Sequence, residues 1–114
     1  MIKSAILMKP ILTVISLLMI VSLHAQELSV MTYNIKLDHP KEGENSWTNR
    51  KPFLINQIRF YEPDVMGVQE AMPNQMKQMD SLLSDYSFVG VGRDDGKDTG
   101  EYSAIFYKTD KFEV

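Results

Sequence analysis

The segment Pro63-Asp64-Val65-Met66-Gly67-Val68-Gln69-Glu70 decides the fold. The turn-forming residues Glu62-Pro63-Asp64 precede four apolar residues, Val65 to Val68, and this run leads directly into Gln69-Glu70. A short continuous apolar run is the pattern of a strand covered on both faces, whereas a strand with one wet face alternates. The strand expected here therefore lies inside a sheet and carries a carboxylate at its C-terminal end.

Upstream, Leu54, Ile55, Ile58 and Tyr61 recur at three- and four-residue spacing, which predicts a helix over Trp47 to Tyr61. Ser46 or Thr48 can cap its start, Pro52 is tolerable only in a first turn, and Pro63 ends it. Before that helix, Lys36 to Asn45 is a polar loop of about ten residues. It follows Leu28 to Ile35, a β-branched and aromatic stretch that reads as a strand. Downstream, Met76, Met79, Leu82, Leu83 and Tyr86 form the apolar stripe of a helix over about Pro73 to Asp85, with the methionines as core filler. Strands at Ser87 to Val91 and Tyr102 to Tyr107 follow, separated by the Gly-rich acidic loop Gly92 to Glu101, and a further strand is expected to begin near Phe112. Strand, helix, strand, helix, strand, strand is the order of an α/β layer: a mixed sheet with two covering helices on one face. The other face needs a partner layer, because Val65 to Val68 and Ser103 to Tyr107 are apolar on both sides.

Composition sets the outer limits. The 114 residues include 12 Lys+Arg and 15 Asp+Glu, no cysteine, and 44% hydrophobic side chains, as in an ordinary globular chain. Without cysteine there is no disulfide framework, no thiolate zinc site and no thiol nucleophile. Met1 to Ala25 reads as a signal peptide: Lys3 and Lys9 precede an apolar stretch from Ile11 to Leu23, with Ala25 before Gln26. That stretch is shorter than the ~20 residues that span a bilayer. An uncleaved anchor is the alternative. Export to the periplasm or the extracellular space is expected, with cleavage near Ala25-Gln26. Cleavage there removes Lys3 and Lys9 and leaves residues 26–114, 89 residues with 10 basic and 15 acidic side chains and a net charge of −5. No transmembrane span is expected in the mature chain, which is long enough for one small core. A nucleic-acid partner remains possible, although this charge balance does not point to one.

Asn34 and Glu70 each stand at the C-terminal end of a predicted strand. If those strands are parallel neighbours, a carboxamide and a carboxylate meet at the sheet rim, where open α/β sheets bind ligands. A carboxylate among oxygen neighbours suits Mg²⁺ or Mn²⁺. The alternative is structural: Glu70 caps the next helix and Asn34 closes a turn. The loop Gly92 to Glu101 is neither a P-loop, because position 91 is Val and position 98 is Asp, nor an EF-hand, because Asp94-Asp95-Gly96 lacks the alternating acidic pattern. His24 lies in the leader and His39 in the polar loop, and no Ser-His-Asp set can be assembled.

Together, Met31 to Ile35 (MTYNI), Trp47-x-x-Arg50-Lys51, Pro63 to Glu70 (PDVMGVQE) and Gly92 to Tyr107 (GRDDGKDTGEYSAIFY) resemble the endonuclease/exonuclease/phosphatase superfamily, especially its exported bacterial members. The resemblance implies the N-terminal half of a four-layer α/β/β/α sandwich. It makes Glu70 the metal-binding glutamate and Asn34 the residue that orients the metal-phosphate site, both counted as catalytic and metal-site residues. Gln69 becomes a supporting neighbour, and Glu101, Tyr102 and Ser103 fall near the substrate. The implied cofactor is Mg²⁺ (or Mn²⁺) and the implied partner a phosphate-ester substrate, cleaved as a phosphodiester or phosphomonoester. The family's later Asp-x-Asn and Asp-His motifs have no match before Val114, so a C-terminal half is expected elsewhere and the segment alone is expected to be inactive. The competing reading is a small exported binding module without catalysis.

Overall fold

The computed structural model describes residues 26–114; the signal-peptide reading of 1–25 lies outside them. Four strands form one sheet in the order β1-β2-β4-β3: β1 Val30–Asn34, β2 Val65–Ala71, β3 Tyr86–Val89 and β4 Tyr102–Lys108. Two helices, α1 Trp47–Tyr61 and α2 Pro73–Leu82, fill the connections. β1 and β2 are parallel, with Val30 opposite Val65 and Asn34 opposite Gln69, so α1 forms the crossover that a parallel pair requires. β4 runs antiparallel to both β2 and β3. This is the mixed sheet with two covering helices that the sequence indicates.

The helices cover one face. Leu54, Ile55 and Ile58 of α1 and Met76 and Met79 of α2 are buried against Met66, Val68, Ala104 and Phe106 of the sheet. Two members of the predicted stripes fall outside this core, since Tyr61 is 58% and Leu82 39% exposed at the last turns of their helices. Pro52 sits in the second turn of α1, not the first, where it removes the amide that would bond Thr48. The polar stretch before α1 contains a short 3-10 turn at Gly43–Asn45. No strand forms at Phe112; a turn at 109–111 ends the described structure's regular elements.

On the opposite face the alternation of side chains leaves Val30, Ile105 and Val89 at 66%, 48% and 39% exposure. This is the face for which the sequence requires a partner layer. Among the described residues, no helix is long and apolar enough to cross a membrane.

Asp64 ties the lower edge of the sheet together. Its carboxylate accepts the Ser29 amide at 3.0 Å and Lys111 Nζ at 2.7 Å. Its backbone amide donates to Ser29 O at 2.8 Å, and its carbonyl accepts the Lys108 amide at 3.0 Å. One buried residue thus fixes the start of β1, the start of β2 and the end of β4. Nearby, the Tyr86 hydroxyl donates to Pro63 O at 2.7 Å. Burial, followed by the surrounding Glu62 and Asp64 charges, pushes that phenol up to about 12.

The Lys111 hydrogen bond, followed by the Ser29 amide, holds the Asp64 carboxyl below its ordinary value of 3.8. Its contribution to stability is therefore complete above that value and disappears as pH falls through the lower folded value. The gap in urea midpoint between wild type and Asp64→Asn should be smaller at pH 3 than at pH 7, with the wild type more stable at neutral pH. Equal separation at both pH values would remove Asp64 from this role.

Candidate active site at the ends of the parallel strands

Parallel pairing brings the C-terminal ends of β1 and β2 side by side, and the two singled-out residues meet there. Asn34 Nδ2 donates to Glu70 Oε1 at 2.8 Å, and the Lys36 amide donates to Asn34 Oδ1 at 3.0 Å. The sheet contact continues one residue beyond β1, where the Ile35 amide donates to Gln69 O at 3.2 Å. Glu70 does not cap α2; the N-cap is Met72, whose amide donates to Gln75 Oε1 at 2.9 Å.

The backbone around this pair is unusual. Between Val68 and Ala71 the register of β2 against β4 shifts, and within this irregularity Glu70 adopts φ +61°. Lys36, two residues beyond the end of β1, has φ +58°. For an L-residue bearing a Cβ this conformation costs about 1–2 kcal/mol, and such strain clusters where a side chain must be aimed. The strained glutamate is the residue whose carboxylate the sequence singles out.

The motif Trp47-x-x-Arg50-Lys51 acts on backbone and scaffold. The Arg50 guanidinium donates to Ile35 O at 2.6 Å, Lys36 O at 3.1 Å and Leu37 O at 3.4 Å, while its Nε donates to Asn45 O at 2.7 Å. It also lies over the Trp47 ring, 5.8 Å from the centroid. Trp47 Nε1 and Lys51 Nζ both donate to Gln78 Oε1, which joins α1 to α2. Arg50 thus gathers the carbonyls of the strained loop after β1.

The other predicted residues divide. Gln69 Nε2 reaches Thr32 Oγ1 at 3.4 Å, across to β1 and not to Glu70. Glu101 is paired with Arg93 at 2.9 Å, and Ser103 is exposed on the face away from the helices. Tyr102 is turned inward by strand alternation: it is buried with the core, and its hydroxyl donates to Lys97 O at 3.2 Å. The loop between β3 and β4 is self-contained. Asp95 Oδ1 accepts the amides of Lys97, Asp98 and Thr99, and these bonds, Lys97 first, hold its carboxyl below the ordinary value. At Gly100, φ +81°, a side chain would run into the Asp94 carboxylate. Sequence reading missed Gln75, a fully buried amide; a polar residue one position before the apolar Met76 was its only signal.

No family model matches the sequence, and no curated protein matches it. Solved structures do. A mannosyl-6-phosphatase of Bacteroides thetaiotaomicron is 40% identical, with a TM-score of 0.74 over 77% of this chain and 34% of that one. An endonuclease/exonuclease/phosphatase family protein of the same organism is also 40% identical, at TM-score 0.73 over 76% and 32%. One from Bacteroides vulgatus is 39% identical, at 0.70 over 76% and 33%. The chain is a partial endonuclease/exonuclease/phosphatase-family domain. It spans about a third of the length of these relatives.

The donor set of this family domain can be tested against a divalent ion. Among the described residues, no three His, Cys, Asp or Glu side chains cluster as a cage. Glu70 offers one carboxylate whose Oε1 is oriented by Asn34, while Oε2 has no hydrogen-bond donor among the described residues. A single oriented carboxylate fits Mg²⁺, which keeps several waters and takes one or two carboxylates together with substrate phosphate oxygens. It does not fit an all-protein structural site. The Asn34 amide presents its NH2 group to Glu70 and its oxygen to the Lys36 amide.

The strain at Glu70 gives a stability test that is independent of activity. Glu70→Gly and Glu70→Ala both delete the carboxylate, but only glycine relieves the left-handed backbone, so the glycine variant should be more stable by about 1–2 kcal/mol. Urea unfolding of the two variants measures this. The usual order, alanine above glycine, would show that the strain is absent.

Proposed function

We propose that the chain is the N-terminal part of an exported, divalent-metal-dependent phosphoesterase acting on a phosphomonoester of the sugar-phosphate kind. The observation that carries the reading is the strained Glu70 carboxylate at the end of a parallel strand, oriented by Asn34 at 2.8 Å. The substrate class is supported by the likeness to a mannosyl-6-phosphatase.

In this reading Glu70 holds Mg²⁺ or Mn²⁺. The bound ion supplies a Lewis-acid contact to a phosphate oxygen and offsets charge that builds up during hydrolysis. The chain's own groups do the positioning. Asn34 fixes the rotamer of Glu70 by bonding Oε1, and the carboxylate so oriented would hold the ion. Asn34 is therefore an orienting group more than a second ligand. Arg50 holds the carbonyls of Ile35 to Leu37 and so keeps the loop after Asn34 in place. In this reading the remaining acid/base groups come from the rest of such a domain, since this chain spans about a third of its relatives' length, and residues 26–114 alone are expected not to turn over substrate.

The test is phosphate release from mannose 6-phosphate by the intact protein. EDTA should abolish activity and Mg²⁺ or Mn²⁺ restore it. Because a metal contact contributes several kcal/mol, Glu70→Gln should lower kcat by about a thousandfold. Full activity in that variant would refute the assignment. For export, N-terminal sequencing of protein recovered outside the cytoplasm should begin at Gln26, and a retained Met1 would favour an anchor over a cleaved leader.

A further inference from the structure

The hydrogen bonds around the Asn34–Glu70 pair close into a ring, and its deepest member is a residue outside the proposed chemistry. Glu70 Oε1 accepts from Asn34 Nδ2, and Asn34 Oδ1 accepts from the Lys36 amide. Lys36 O then accepts from Gln75 Nε2 at 3.0 Å, and Gln75 Oε1 accepts from the Met72 amide at 2.9 Å. Met72 is two residues after Glu70, so the circuit returns to its origin.

Gln75 is fully buried, and its oxygen accepts a second bond, from the Asp38 amide at 3.1 Å. Three bonds from one side chain thus join the turn after β2 to the loop after β1. Next to it, Asn74 Nδ2 donates to Asp38 Oδ2 at 2.8 Å and repeats the link from the helix surface. Both residues in the ring with left-handed backbones, Lys36 and Glu70, lie between its fixed points. Strained conformations persist only where the surroundings over-determine them.

We infer that Gln75 is a positioning residue: through Lys36 and Met72 it holds Asn34 and Glu70 in the geometry that would receive the ion. A buried primary amide suits this role because it donates to a carbonyl on one loop while accepting amides from both. An apolar replacement would leave the Met72 and Asp38 amides without partners and Lys36 O with the Arg50 guanidinium as its remaining donor. Glutamate at the same position would keep the acceptor but lose the donor to Lys36 O and bury a charge. The inference rests on the metal-site reading for its functional consequence, but its geometric content can be measured without metal.

The experiment uses the intact protein and compares Gln75→Met, close in volume, with Ile58→Val, a core change in α1 outside the ring. Direct Mn²⁺ binding, read by the loss of the free-ion electron paramagnetic resonance signal, needs no turnover. Outer groups that orient metal ligands typically contribute 10–100-fold in affinity. Gln75→Met is expected to weaken Mn²⁺ binding at least about tenfold, whereas Ile58→Val stays within about twofold of wild type at 25 °C, whatever each loses in Tm. In metal-free protein, hydrogen exchange at the Asn34 side-chain amide, followed by NMR, should accelerate in Gln75→Met and not in Ile58→Val. Unchanged Asn34 exchange in a folded Gln75→Met protein overturns the inference, as does equal loss of Mn²⁺ affinity in both variants. If wild type binds no Mn²⁺ but Asn34 exchange responds to Gln75→Met as expected, the positioning stands and the metal-site reading fails.

Discussion

Parallel pairing of β1 with β2 is the constraint from which the rest of the structure follows. Parallel neighbours cannot be joined by a tight hairpin, so the chain must cross over, and α1 is that crossover. The crossover places an apolar helix on one face, where Ile58, Met66 and Phe106 are fully buried. It also brings two strand C-termini to the same rim. A single pairing decision thus creates both the core and the place where Asn34 and Glu70 meet.

The rim is held by bonds that oppose the local preferences of the chain. Glu70 and Lys36 occupy backbone conformations that L-residues avoid, and neither is glycine. Arg50 collects the loop carbonyls from the α1 side, while Gln75 bonds both loops from the α2 side. The far end of the sheet depends on Asp64, whose buried carboxylate and backbone join β1, β2 and β4. The two ends use different partners: a carboxylate paired with Lys111 at the base, and the Arg50 guanidinium together with the Gln75 amide on loop carbonyls at the rim.

The likeness to solved relatives extends over 77% of this chain but 34% of the mannosyl-6-phosphatase. Within that shared part the exposed apolar face carrying Val30 and Ile105 is the feature that calls for more polypeptide. Glu101, paired with Arg93, and Ser103 lie beside it on β4 and the adjoining loop. Tyr102 does not, because successive strand residues point to opposite faces. Three consecutive residues taken together as substrate neighbours in the sequence are therefore separated by the pleat.

Much was legible in the sequence because periodicity and punctuation are local. The spacing of Leu54, Ile55 and Ile58 and the stop at Pro63 mark α1, and the apolar run Val65 to Val68 marks an interior strand. The motifs also pick out Asn34 and Glu70, since each follows an apolar strand with a polar group. Less visible were Pro52 in a second turn, the exposure of Tyr61 and Leu82, and the inward Tyr102, where packing overrode local pattern. Tertiary structure alone decided the rest. The left-handed Glu70, the guanidinium of Arg50 on three loop carbonyls and the buried amide of Gln75 depend on groups 13 to 39 residues away in the chain. No local window contains both partners of such a bond, so the sequence determined the elements and the candidate pair, and long-range hydrogen bonding determined their aim.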